Sequence, residues 1–72
     1  MKEVAAVEAV LFVTEAPVPI GELAEVLELP KTRVEELLDE LSRDLEDRES
    51  GLILRQVAGG WRLYTHPDAY PF

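Results

Sequence analysis

The chain has no cysteine and a single histidine, His66. A disulfide framework is therefore excluded, and so is a structural zinc site, which draws most of its four ligands from Cys and His. No cofactor is expected. Long apolar runs are also missing: the stretch from Ala5 to Val13 is too short for a membrane span, and because it follows Glu3 and is broken by Glu8 it does not read as a signal peptide. A soluble protein of a reducing cytoplasm is expected. Basic residues are scarce, with 7 Lys and Arg against 15 Asp and Glu and a formal net charge of -8. Such a surface repels nucleic acid and anionic lipid and favours basic or apolar protein partners. Size sets one more bound, because a chain of 72 residues buries only ~60% of the surface it exposes when unfolded. Without disulfide or metal, oligomerisation or a neighbouring domain is left to complete the core.

From Lys2 to Thr14 the composition favours a helix that is poorly amphipathic. Val4, Val7 and Leu11 form one stripe, turned to the domain's own core, while Ala5, Ala9, Phe12 and Val13 fall on another side. A helix apolar on most sides wants cover on more than one of them, so Ala5, Ala9, Phe12 and Val13 are the candidate dimer or partner interface. Glu15-Ala16-Pro17-Val18-Pro19 then stops the helix, since each proline holds the preceding residue extended and lacks a backbone donor. Val18 and Ile20 are placed in an edge strand beside a hairpin. Ile20, Leu23, Ala24 and Leu27 carry the spacing of a second, half-buried helix. After Leu29-Pro30, Thr32 and Glu35 match a capping box for a third and longest helix. Val34, Leu37, Leu38, Leu41 and Leu45 supply its apolar face, and it is expected to end before Gly51.

Two β-prone runs follow, Leu52 to Val57 and Trp61 to Thr65, with Gly59-Gly60 as the tight turn between them. Leu52, Leu54, Trp61 and Leu63 share the face that caps the helical core. Three helices and a closing hairpin give an α+β fold, a winged helix with a helix-turn-helix core and a C-terminal wing. Residues 1–65 form this domain, and residues 66–72 read as the start of a linker.

Catalysis finds no support in the pattern. The many carboxylates lie on solvated helix faces, His66 sits beside Pro67 in the exit segment, and Thr14, Thr32, Ser42, Ser50 and Thr65 lack a base with its orienting partner. An enzyme is not expected. DNA binding is the natural use of a helix-turn-helix, with the third helix in the major groove. Between Lys31 and Ser50, however, four basic residues face eight acidic ones. Lys31 and Arg33 at the helix start and Arg55 and Arg62 on the wing are the candidate phosphate contacts, too few for firm binding at physiological salt.

Three runs resemble the bacterial segregation and condensation protein B (ScpB) family: Ala9-Val10-Leu11-Phe12-Val13-Thr14-Glu15-Ala16-Pro17-Val18, then Ile20 to Leu29, then Gly51 to Thr65 with its Val-Ala-Gly-Gly turn followed by an aromatic and Arg-Leu. They occur in order and together span residues 9–65. The resemblance implies a tandem pair of winged helices, dimerisation through the N-terminal one, and binding of the kleisin ScpA within the SMC condensin complex at the nucleoid, with no enzymatic activity. This sequence would hold the first winged helix alone, with the second domain absent. The expected function is a dimerising subunit for chromosome condensation and segregation, a homodimer reaching SMC through ScpA, with neither membrane nor direct DNA contact. The alternative is a fragment of a DNA-binding winged-helix transcriptional regulator.

Overall fold

Local backbone preferences set the element boundaries. The structure, a computed structural model, describes residues 2–67. The chain runs α1 (Glu3–Val13), α2 (Ile20–Leu27), α3 (Lys31–Asp47), β1 (Leu52–Val57) and β2 (Gly60–Thr65). This is a winged-helix-like α+β fold. Of the expected linker, only His66 and Pro67 fall within the described residues. The His66 amide donates to the Gly51 carbonyl at 2.7 Å, which continues the hairpin pairing one step past β2.

Prolines open two of the three helices. Pro19 and Pro30 are both extended, with φ near the value their rings impose, and neither helix has a side-chain cap. The capping box expected from Thr32 and Glu35 does not form. The Pro30 carbonyl already accepts the Arg33 and Val34 amides, at 3.0 and 3.1 Å, so helical geometry begins at Lys31 and Thr32 lies inside the first turn.

The C-termini of α2 and α3 are also closed by main chain alone. The Leu29 amide donates to the Ala24 carbonyl at 3.0 Å and the Ser50 amide to the Leu45 carbonyl at 2.9 Å. Both are six-to-one Schellman closures, which require a left-handed residue. Glutamates occupy those positions: Glu28 has φ 56° and Glu49 φ 50°. The third helix therefore ends at Asp47, before Gly51 as expected, and a left-handed Glu49 completes its closure.

The hairpin turn is shifted by one residue from its expected place. Val57 pairs with Gly60, leaving Ala58 and Gly59 as the two turn residues, with φ of 49° and 77°. Both angles are positive, as a type I′ turn demands. Gly60 is the first residue of β2, and it is glycine for another reason. A Cβ there would lie 2.8 Å from the Pro17 carbonyl carbon and 2.9 Å from Val18 C. The connector after α1 passes against the hairpin at this point, where Val18 and Trp61 exchange reciprocal amide-to-carbonyl bonds of 2.8 Å each. Val18 does act as an edge partner of the wing, while Ile20 already belongs to α2.

Three non-glycine residues thus hold a conformation that costs an L-residue roughly 1–2 kcal/mol. Replacing Glu49 by Gly, or Ala58 by Asn to give the favoured Asn-Gly turn, is expected to stabilise the domain. The gain should be about 0.5–1 kcal/mol each after the extra chain entropy of glycine is set against the strain. Urea denaturation followed through Trp61 measures this, and an unchanged or lower midpoint would contradict it.

Leucine and valine from every element meet in one core. Val34, Leu37, Leu38, Leu41 and Leu45 of α3 form its spine, and Val7 and Leu11 of α1, Leu23 of α2, Val18 and Leu54 close around them. Leu52, Trp61 and Leu63 pack on the outside of this cluster. Register explains the choice: Leu54 stands opposite Leu63 and Leu52 opposite Thr65, so alternation puts these side chains on the helix-facing side. Among the described residues no polar or charged side chain is buried.

Candidate interface on the first helix

At about 100° per residue, Val4, Val7, Val10 and Leu11 gather on one side of α1 and Ala5, Ala9, Phe12 and Val13 on the opposite side. The structure separates the two sides cleanly. Val7 and Leu11 are 0% and 1% exposed, with Val4 and Val10 packed against the same core. Ala5 and Ala9 are exposed, and Phe12 and Val13 remain 73% and 74% exposed. Two opposed apolar stripes cancel each other, which is why the helix looks unpatterned in sequence. Small residues at Ala5 and Ala9 let another backbone approach closely, and Phe12 and Val13 add the area that would make such an approach favourable.

The end of α1 is held in place by local bonds. Thr14 is extended, and its Oγ1 donates to the Leu11 carbonyl at 3.1 Å, so the helix stops just after Val13. A shallow groove of about 310 Å³ runs from here to the hairpin, bordered by Phe12, Leu52, Leu63, Tyr64 and the Arg62 side chain. The apolar surface of Phe12 is therefore continuous with the strand β2 beside it. The four α1 residues expected at an interface are exposed, and this neighbouring surface was not expected from the sequence. Its signal was the helix-facing register of Leu52 and Leu63. Val26, 64% exposed, was also missed, although it falls off the stripe made by Ile20, Leu23, Ala24 and Leu27.

The four candidate phosphate contacts do not form one free basic surface. Arg33 reaches back to α1, its Nη2 and Nε donating to Glu3 Oε1 at 2.7 and 3.0 Å, and its Nη1 donating to Glu36 at 3.2 Å. The bonds to Glu3 and then Glu36 hold the guanidinium pKa above its ordinary value. Arg62 lies over the Tyr64 ring, 5.2 Å from its centroid, a cation–π contact. Arg55 is exposed and stands opposite Arg62 in the hairpin register, while Lys31 is exposed at the start of α3 beside Gly21. Around Arg33 the outer face of α3 shows the exposed carboxylates of Glu35, Glu36, Asp39 and Glu40. Arg48, near the other end of α3, is bound to Glu8 at 3.0 Å and Asp44 at 3.5 Å. Among the described residues no group of three His, Asp or Glu side chains is arranged to hold a metal ion, and no helix is long and apolar enough to cross a membrane.

The family model for segregation and condensation complex subunit ScpB matches residues 5–72. The chain belongs to the ScpB family. It is 37% identical over 67 residues to segregation and condensation protein B of Desulforamulus reducens, covering 93% of this chain and 37% of that protein. With the protein of the same name from Moorella thermoacetica it shares 41% identity over 64 residues, covering 89% of this chain and 33% of the relative. The chain thus spans about a third of the length of these ScpB relatives. Among solved structures it resembles ScpB from Mycobacterium tuberculosis, with a TM-score of 0.85 at 38% identity over 96% of this chain and 44% of that one. It also resembles a dimer of an ScpB N-terminal domain complexed with an ScpA peptide, with a TM-score of 0.87 at 29% identity over 94% of this chain and 85% of that one.

Proposed function

We propose that this chain is the dimerising, non-catalytic winged-helix module of an SMC condensation complex, acting in the cytoplasm at the nucleoid. Two copies pair through Ala5, Ala9, Phe12 and Val13 of α1, and the pair binds the kleisin ScpA. The observation that carries this reading is the exposed stripe of α1, opposite the side that fills the core, with Phe12 and Val13 about three-quarters uncovered. A similar ScpB N-terminal domain that is itself a dimer with an ScpA peptide supports it. So does the charge: an acidic domain suits a protein partner better than a duplex. The regulator alternative loses its best cation, because Arg33 is held by two carboxylates.

Light scattering across a wide protein concentration range tests the pairing. The wild-type chain is expected to become dimeric, and Phe12→Asp to remain monomeric with its helical circular dichroism retained. Burying a phenylalanine contributes about 1.5–3 kcal/mol, and a symmetric interface uses it twice. The dissociation constant should therefore rise at least about 100-fold. A wild-type chain that stays monomeric would reject the pairing, and a Phe12→Asp chain that unfolds would place Phe12 in the core instead.

A further inference from the structure

Among the described residues no strand lies beside the outer edge of β1. The reciprocal bonds between Val18 and Trp61 use both main-chain groups of Trp61, so the Gln56–Trp61 pair in the register is a non-hydrogen-bonded pair of the antiparallel ladder. Main-chain groups alternate in direction along such a strand. The N–H and C=O of Leu52, Leu54 and Gln56 consequently point away from β2. The Leu52 amide is taken by Ser50 Oγ at 3.1 Å, while Leu54 and Gln56 lie on the unpaired edge. Natural proteins usually blunt such an edge with a proline, a bulge or a covering element. The β1 register runs without a bulge from Leu52 to Val57 and contains no proline.

Alongside this edge lies an open groove of about 590 Å³ between β1 and the C-terminal half of α3. Its floor is apolar, made by Leu45, Leu52 and Leu54. Its rim carries Glu46 and Glu49, both exposed, and neither makes an ion pair among the described residues. Groove, open main-chain edge and uncompensated carboxylates point to one kind of occupant. We infer that the free edge of β1 and the α3 groove receive an extended segment of a partner protein as an added strand, its apolar residues facing Leu45 and Leu54 and its Lys or Arg residues meeting Glu46 and Glu49. Strand addition supplies affinity through main-chain bonds and specificity through alternate side chains. The inference stands on this edge and not on the pairing of α1, so loss of the dimer leaves it untouched.

The probe is a capped hexapeptide of alternating valine and lysine, titrated to millimolar concentration into the ¹⁵N-labelled chain, with the valine–glutamate hexapeptide as control. Amide shifts confined to β1 and to the segment from Ser42 to Gly51 are expected. The Leu54 and Gln56 amides should exchange about tenfold more slowly at a peptide concentration near ten times the dissociation constant. Gln56→Pro removes one outward donor at an edge position where proline is tolerated, and should weaken binding at least about fivefold through the lost bond. Should that variant fail to fold, Glu46→Lys with Glu49→Lys tests the rim, with the preference reversing toward the valine–glutamate peptide. No shifts at about 5 mM peptide, shifts centred on Phe12 instead, or equal binding of both peptides would overturn the inference. Protection of the same amides without peptide, growing with protein concentration, would assign the edge to a second copy and overturn it equally.

Discussion

Gly60→Ala is expected to be among the most damaging single-methyl additions in this domain, lowering stability by about 3 kcal/mol. The added Cβ would meet the Pro17 carbonyl carbon, Pro17 Cβ and Val18 C, all within 2.9 Å. These are connector atoms beside a proline, not the tip of a flexible side chain. Overpacking against such a neighbour costs about 1–3 kcal/mol, and moving the connector aside would also strain the two Val18–Trp61 bonds, each contributing about 1 kcal/mol. A domain of this length has only roughly 4–11 kcal/mol of total stability. The melting temperature should fall by about 12–24 °C, read from the fluorescence of Trp61, which sits at the damaged contact. Gly51→Ala is the control, since a Cβ there meets nothing within 4 Å. A loss below about 1 kcal/mol for Gly60→Ala would show that the connector yields easily.

The second large effect contrasts two neighbours in sequence. Leu11→Ala removes a side chain that is 1% exposed and should cost about 2–5 kcal/mol through lost burial and the cavity left behind. Phe12→Ala, next to it, removes a larger side chain that is 73% exposed, and should change the stability of the isolated domain by no more than about 0.5 kcal/mol. Urea midpoints at low and high protein concentration separate the two roles. A dimer that unfolds to monomers has a midpoint that rises with concentration. Phe12→Ala should abolish that rise while leaving the low-concentration midpoint in place, whereas Leu11→Ala should lower both midpoints. Equal losses at low concentration would mean that both residues belong to one core.

Periodicity carried most of the fold because the core is built from repeating Leu and Val positions on one long helix. The spacing of Val34, Leu37, Leu38, Leu41 and Leu45 has one helical solution, and the alternation of Leu52, Leu54, Trp61 and Leu63 has one hairpin solution. The turn was misplaced by a residue because glycine suggests two jobs with the same letter: Gly59 supplies a positive φ, while Gly60 makes room for Pro17 and Val18. Ala58, which shares the turn, gives no hint in sequence that it is left-handed. Thr32 and Glu35 spelled a capping box that the Pro30 carbonyl made unnecessary. On α1 the residues of the candidate interface were legible as surplus apolar surface, since four apolar positions lay off the core stripe. Their extension to Leu63 and Tyr64 required the tertiary approach of the hairpin. The pairing of Arg33 with Glu3 was equally hidden, because the partners are thirty positions apart and nothing local links them.

The bridge between Val18 and Trp61 also constrains the order in which the chain can assemble. Between these residues lie α2, α3 and β1, so the loop they close is most of the molecule, and its closure entropy must be met before two hydrogen bonds can repay it. Local turns of helix and the hairpin can form and dissolve on their own. The bridge cannot, and only after α2 and α3 have folded back on α1 are its two edges within reach. It is the longest-range main-chain pairing among the described residues, a latch that ties the connector after α1 to the second strand of the wing.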